Sequence, residues 1–306
     1  YKPNEGVHIG QIKKAVSVLK KAKKPLFLLG GGVNLSGANE VMKQLVELTG
    51  VPAITTIMGK GAIPSNHPLY LGNIGIHGSY AANNAVSECD VLFSIGTRFN
   101  DRITGKISEF AKNAKIIHID VDPASISKNI VVDIPIVADA KLAIEKIIEY
   151  ASPLNIAKWS EKTQQWKKDY PINMDKYKGL TPEKVIRYIN ENFDKPIVTT
   201  DVGQNQLWTT QYLDIETNRQ LLTSGGLGTM GYAAPEQFGG MGQTDPRTDI
   251  YCLGATLYHL VTGMSPCEPP YEISLIRQIN LAFSGGLESI ILKCTKLNCM
   301  NFYQKA

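Results

Sequence analysis

Pro25-Leu26-Phe27-Leu28-Leu29-Gly30-Gly31-Gly32 is the stretch on which the fold of this chain turns. Leu26 to Leu29 form a short, continuously apolar strand, the pattern of a strand buried on both faces. It runs straight into three glycines, whose backbone can approach a neighbour closely because no Cβ intervenes. Upstream, Ile12, Ala15, Val16 and Leu19 recur at helical spacing over residues 10–23, with lysines on the other face, and Pro25 ends that helix. Downstream, Ser36 is expected to cap a helix over about 37–49 that Gly50 ends.

The same alternation continues. Residues 52–56, 91–96, 116–121 and 134–138 read as further strands, with helical stretches near 79–88, 124–129 and 139–150 between and after them. Five apolar strands alternating with helices predict a parallel sheet covered on both faces. In such sheets ligands bind beyond the carboxyl ends of the strands. Polar and glycine residues gather there: Gly30 to Gly32, Thr56 to Gly61, Gly96 to Arg102, Asp120 to Asp122, and Asp139. Glycine after a strand is also ordinary turn chemistry, which explains any one of these loops but less easily all five. Arg98 and Arg102 flank Asn100-Asp101, where guanidinium forks suit phosphate, or where Arg102 simply pairs with Asp101. Asp120, at a strand end, is placed to accept from a ribose hydroxyl. His77 reads as satisfying a local hydrogen bond rather than acting as an acid or base.

Composition narrows the class. The chain has 306 residues, 43% apolar and 20% charged, with a formal charge of only +4. That is an ordinary globular balance with room for two domains. The pairs Lys13-Lys14, Lys20-Lys21 and Lys23-Lys24 lie on one helix-like stretch and read as a solvated face, so no nucleic-acid partner is expected. There is neither an apolar run long enough to span a membrane nor a basic-then-apolar leader. Cys89, Cys252, Cys267, Cys294 and Cys299 form no Cys-x-x-Cys pair and no zinc spacing, which fits a reducing, cytoplasmic-type compartment. The first residue is Tyr1, which fits a fragment or a processed product.

Beyond residue 150 a polar linker is expected over 151–180, with a helix around Trp159–Tyr170. Thr181-Pro182-Glu183 is a strong helix start, Thr as cap and Pro in the first turn. A strand over 197–201 then feeds a helix through Gly203-Gln204, an arrangement that offers N–H groups and amides to an anion. Gly225 to Gln237 is a glycine-dense loop, either a surface turn or a ligand loop.

Specific words now carry a resemblance. Leu29-Gly30-Gly31-Gly32-Val33, Thr55-Thr56-Ile57-Met58-Gly59-Lys60-Gly61, Gly75-Ile76-His77-Gly78, Gly96-Thr97-Arg98-Phe99-Asn100-Asp101-Arg102 and His118-Ile119-Asp120-Val121-Asp122-Pro123 closely resemble the central domain of acetolactate synthase, from about residue 8 to residue 232. That family joins two 2-oxo acids, pyruvate among them, on thiamine diphosphate to make branched-chain amino-acid precursors. The resemblance implies a structural FAD contacted by Gly30, Gly31, Gly32, Thr56, Ile57, His77, Gly96, Arg98, Arg102, Asp120 and Asp139. It also implies that Gly203, Gln204 and Asn205 open the domain holding the diphosphate of thiamine diphosphate. Gly228 would offer its carbonyl to the cofactor's exocyclic amine, and Met230 would prop the bent conformation that brings this amine near the thiazolium C2. Core packing is the alternative for Met230. The resemblance further implies a homodimer or tetramer with a regulatory subunit.

The family's Gly-Asp-Gly and Asn pair for Mg²⁺ is not found after residue 232, and its catalytic glutamate belongs to an N-terminal domain that precedes the segment matched here. No catalytic or metal residue is therefore assigned. Gly231 to Gln237, with Asp245 to Gly254, instead resembles the C-terminal lobe of a bacterial Ser/Thr protein kinase. The expected helix there buries Ile250, Leu253, Leu257, Leu260 and Val261 and ends at Gly263; Leu287, Ile290, Ile291, Cys294 and Leu297 mark a second. The chain carries no Gly-rich ATP loop, His-Arg-Asp or Asp-Phe-Gly word. Residues 228–235 satisfy both families, so a chimera joined inside that shared word is expected.

The resulting expectation is an α/β protein in three parts. A parallel-sheet, Rossmann-like FAD-type central domain covers 1–150, a truncated α/β thiamine-diphosphate domain covers 151–232, and a helical kinase-lobe remnant covers 233–306. Its expected role is that of an acetolactate synthase fragment, inactive alone. A non-catalytic flavin- or nucleotide-binding module, or a kinase-lobe-like interaction module, is the alternative.

Overall fold

In the computed structural model, residues 6–200, 203–216, 220–223, 246–264 and 273–295 are described. They fall into two compact units, Tyr1–Thr199 with Gln204–Leu222, and Thr200–Gly203 with Thr223–Ala306.

In the first unit, Pro25–Leu29 forms β1, and all five residues are buried. Around it stand β2 (Ala53–Thr55), β3 (Tyr70–Asn73), β4 (Val91–Ile95), β5 (Lys115–Asp120) and β6 (Ile134–Val137). All pair in parallel, in the order β3-β2-β1-β4-β5-β6. The register sets Leu28 beside Ser94 and Ser94 beside His118, so these three side chains share one face.

Helices cover the sheet: α1 (Ile9–Lys21), the short α2 (Gly31–Leu35), α3 (Asn39–Thr49), α4 (Tyr80–Glu88), the short α5 (Asp101–Thr104) and α6 (Ala140–Tyr150). The face read from spacing, Ile12, Ala15, Val16 and Leu19, is the buried face of α1. One core joins these helices to the strands, with Phe27 and Phe93 tilted against each other at 5.6 Å.

Several expectations are corrected. A sixth strand exists, β3, which Gly72 and a length of four residues hide from pattern reading. Pro25 begins β1 as well as following α1, because a first strand residue can lack its N–H. Ser36 ends α2 instead of capping α3: its Oγ donates to the Val33 carbonyl, and Ala38 precedes α3. The stretch 124–129 forms only a 3-10 turn over Pro123–Ser125, and Ser127 has φ +57. Residues 157–169 bear out the helix expected around Trp159–Tyr170 within the polar stretch. They form α7 (Ala157–Asp169), whose Trp159 is 4% exposed and donates from Nε1 to the Pro25 carbonyl at 2.9 Å. Lys162 ties the same helix to Glu88 of α4.

Further along, Thr181 caps α8 (Pro182–Asn192) by accepting from Lys184 N, with Pro182 in the first turn. Next come β7 (Val198–Thr200), α9 (Gln204–Tyr212) and β8 (Leu221–Thr223), and β7 pairs with β8. The second unit carries α10 (Pro246–Thr262), the short α11 (Ile276–Ile279) and α12 (Gly285–Cys294). Gly263, at φ +69, follows α10 as expected. The buried face of α10 is only in part the one spacing predicted: Leu257 and Val261 pack half-buried against the core. Tyr251, Ala255 and Tyr258 are buried, while Leu253 is 56% and Leu260 is 74% exposed. Gly254 explains the rotation: a Cβ there would meet Cys294 Cβ at 2.5 Å, so the bare glycine lets α12 lie against this side.

Candidate functional site

The carboxyl ends of β1 and β4 are adjacent, and chain connections leave them in opposite directions. This is the switch point at which doubly wound sheets open a crevice. The glycines there are held by one another. Gly30 N donates to the Ile95 carbonyl at 2.8 Å, Gly32 N to the Gly96 carbonyl at 3.0 Å, and Gly96 N to the Ile119 carbonyl at 2.8 Å. A Cβ on Gly30 would stand 2.1 Å from the Gly96 oxygen, and one on Gly32 would stand 2.6 Å from the Gly96 Cα. Mutual packing therefore explains Gly30, Gly32 and Gly96. Of the triplet, Gly31 has the loosest surroundings, its Cβ position 3.2 Å from Met58 Cβ.

Beside them, Thr56 N donates to the Leu29 carbonyl and Thr56 Oγ1 accepts from Gly59 N, both at 3.0 Å. Asn34 Nδ2 donates to the carbonyls of Met58 and Lys60, and Asn39 Nδ2 to that of Gly61. The loop after β4 is held similarly. Asn129 Nδ2 donates to the carbonyls of Arg98 and Phe99, and the Arg102 carbonyl accepts from Ile76 N. These ties leave the side chains of Arg98 and Arg102 exposed. The alternative pairing of Arg102 with Asp101 is present only as a 3.9 Å contact between two exposed groups, a geometry worth little.

The acidic residues divide. Asp120 is 9% exposed, and its Oδ1 accepts from Asp122 N at 2.9 Å. Asp139 caps α6 by accepting from Lys141 N and Leu142 N, a local role that accounts for it without a ligand. His77 is exposed, and its carbonyl accepts from Gln211 Nε2 at 2.8 Å. Ile57 is half-buried in the β2 loop. The eleven residues expected at a flavin thus lie along the carboxyl edge of one sheet. Gly203 (φ +152), Gln204 and Asn205 are exposed where α9 begins. Gly228 and Met230 lie outside the described residues.

Spacing did not reveal the side chains that hold the loops: Asn34, Asn39, Asn129 and His118. Nor did it reveal Lys60, only 6% exposed, whose Nζ lies 5.6 Å from the Tyr70 ring centre. Burial lowers the Lys60 ammonium from the usual lysine range to about 8; nearby Asp214 opposes this and Lys167 adds to it. Among the described residues no cluster of three or more His, Cys, Asp or Glu stands ready for a metal, and no helix is long and apolar enough to cross a membrane.

A six-stranded parallel sheet with glycine turns at its switch point defines the doubly wound α/β class. Comparison with known proteins is more specific. Residues 12–147 match the central domain of thiamine pyrophosphate enzymes, and residues 201–254 match their C-terminal TPP-binding domain. The chain belongs to the thiamine pyrophosphate enzyme family. It is 46% identical over 273 residues to the probable acetolactate synthase large subunit of Methanococcus aeolicus, a match covering 83% of this chain and 45% of that protein. It is 38% identical over 304 residues to the acetolactate synthase of Mycobacterium bovis, covering 95% of this chain and 49% of that protein. The chain thus spans about half the length of the curated relatives it matches. The synthase likeness also runs past residue 232, since the C-terminal domain match reaches 254. It therefore overlaps the stretch read as kinase-like.

Proposed function

We propose that this chain supplies the flavin-carrying part and the start of the thiamine-diphosphate part of an acetolactate synthase. Such an enzyme decarboxylates pyruvate and joins the remaining two-carbon unit to a second 2-oxo acid. What supports this most is the β1/β4 switch point. There close-packed, half-buried glycine turns adjoin a loop carrying two exposed arginines that lack strong partners. FAD fits the donor set, with Arg98 and Arg102 for phosphate or ring carbonyls, Asp120 for a ribose hydroxyl and the backbone near Gly31 for close approach. Asp139 contributes through the α6 start instead of a free carboxylate. In this reading the flavin is structural and carries no electrons in the reaction.

Thiamine diphosphate, when bound, supplies the carbanion-stabilising centre. Gly203, Gln204 and Asn205 would meet its diphosphate, and Gly228 and Met230 its pyrimidine. Mg²⁺ would bridge that diphosphate through residues outside those assigned here. The chain alone is expected to show no turnover and to act within the homodimer or tetramer that the resemblance implies, with pyruvate as substrate and a regulatory subunit as further partner.

For residues 233–306 the kinase-lobe-like reading is the second proposal. It is supported by the Ala234-Pro235-Glu236 word and by Asp249 in the helix that follows it. Resequencing the locus across codons 225–240 tests the junction, since an uninterrupted synthase frame would remove the chimera.

The central test is a titration with FAD, NAD and ATP, followed by flavin fluorescence and thermal shift. Selective stabilisation by FAD is expected, because a ligand that binds only the folded state raises its stability. Equal response to all three, or to none, would leave a non-catalytic nucleotide-binding or interaction module as the better account.

A further inference from the structure

His118 is fully buried, in the middle of β5, and belongs to none of the expected ligand contacts. Its Nε2 lies 2.9 Å from the Thr97 carbonyl and 3.7 Å from Asp120 Oδ2. Its Nδ1 has no hydrogen-bond partner, nor has Ser94 Oγ on the neighbouring strand. A carbonyl only accepts, so Nε2 must carry the proton and the tautomer is fixed. Burial holds the imidazolium below its ordinary pKa despite the attraction of Asp120, which keeps the ring neutral. Phe99 stands edge-on to the ring at 5.0 Å and is itself held at φ +49, a conformation unfavourable for an aromatic residue. Such a backbone persists only where its surroundings over-determine it. Here the surroundings are His118 on the Thr97 carbonyl and Asn129 on the next two carbonyls.

We propose that His118 is a positioning residue for the dinucleotide groove: through the Thr97 carbonyl and its contact with Asp120, it fixes the Arg98–Arg102 loop and the ribose-side carboxylate in one arrangement without touching the ligand. This rests on the flavin reading of the groove above. The imidazole N–H holds the Thr97 carbonyl at 2.9 Å, so its loss frees the loop and, with it, the packing beside Asp120. The N–H is what matters, not the ring. Glutamine carries a donor Nε2 at comparable reach, whereas leucine fills the space with no donor.

The experiment compares the wild-type chain with His118→Gln and His118→Leu in FAD affinity, melting temperature and amide hydrogen exchange over 97–104. His118→Leu is expected to weaken FAD binding about tenfold, the effect of one lost buried hydrogen bond, and to speed exchange in 98–104 without speeding it in β1. His118→Gln should restore both to within about threefold of wild type. Unchanged affinity and unchanged exchange in His118→Leu would overturn the proposal. So would a Gln variant as impaired as Leu, since that would make the ring a packing element only. If the wild-type chain binds no FAD, the flavin reading fails separately, and the exchange comparison still decides whether His118 holds the loop.

Discussion

Replacing Gly30 with alanine tests whether the glycine triplet is there for packing or for a ligand. Gly30 has φ −100, which alanine adopts freely, so no backbone strain enters. The added Cβ would lie 2.1 Å from the Gly96 oxygen, 2.6 Å from its carbon and 2.8 Å from Thr97 Cα, all main-chain atoms. No rotamer change relieves that overlap. The turn after β1 must move away from the turn after β4, lengthening the Gly30–Ile95 and Gly32–Gly96 hydrogen bonds. Overpacking of about 1–3 kcal/mol and two hydrogen bonds of about 0.5–1.5 kcal/mol each give about 2–6 kcal/mol. Against a total of about 5–15 kcal/mol, that is a large fraction of the stability. A fall in Tm of roughly 5–20 °C follows. The control is Gly37→Ala: φ is +64 with nothing within 4 Å of the Cβ position, so only the left-handed backbone penalty of about 1–2 kcal/mol applies. Urea unfolding followed by circular dichroism, without added ligand, compares them. If Gly30→Ala proved no less stable than Gly37→Ala, the packing argument would be refuted and the triplet would have to be explained by its ligand alone.

Three further outcomes follow from single contacts. Trp159→Phe removes the donor to the buried Pro25 carbonyl and shrinks a 4%-exposed ring, so the urea midpoint should fall by the equivalent of about 1–3 kcal/mol with the slope unchanged. Lys60 is charged in the unfolded chain up to about pH 10.5 and in the folded one only to about 8. The unfolded state therefore binds the extra proton between those values, and stability rises with pH through that window. Lys60→Met should flatten the rise and gain, on the order of 3 kcal/mol, below pH 8, measured by unfolding at pH 7 and pH 10. Gly254→Ala would press a Cβ onto Cys294 and Thr295, so limited proteolysis should cut within 246–295 faster while the fragment over 6–200 survives as in wild type.

The strands most legible in the sequence were those buried on both faces. β1, β4 and β5 read as continuous apolar runs because both faces meet helices, and the four-residue period of α1 named its buried side chains correctly. β3 was lost because Tyr70-Leu71-Gly72-Asn73 carries only two apolar residues. Its Tyr70 and Asn73 instead form a buried polar triad with Thr55 of β2. The α10 face was misjudged for a related reason. Hydrophobicity favours Leu253 and Leu260, yet contact follows the small residues Gly254 and Ala255, where another helix can come near. At the candidate site the glycines and arginines were legible by type and position. Their anchors were not, because Asn34 reaches carbonyls 24 and 26 residues away, Asn129 reaches back about as far, and His118 answers a carbonyl in the loop after a neighbouring strand. No local spacing encodes such pairings.

Those long-range anchors explain how the loops at this sheet edge can be firm. Each ligand-side loop has its carbonyls bound from behind: Met58, Lys60 and Gly61 by asparagines of α2 and α3, Arg98 and Phe99 by Asn129, Thr97 by His118. With these carbonyls bound, the exposed side chains of Arg98 and Arg102 are the charged groups the loop presents, the sign an anionic ligand needs. Order imposed in advance also spares the ligand the entropy of fixing those loops on binding. The same device reaches α9. Asn73 donates to the Thr210 carbonyl, Gln211 to the His77 carbonyl, and Ser65 and Ile215 exchange hydrogen bonds in both directions. The helix that opens the proposed thiamine-diphosphate segment is thus fastened to the loop carrying a proposed flavin contact. A flavin that takes no part in electron transfer could then still matter to the reaction, by holding the frame from which α9 is hung.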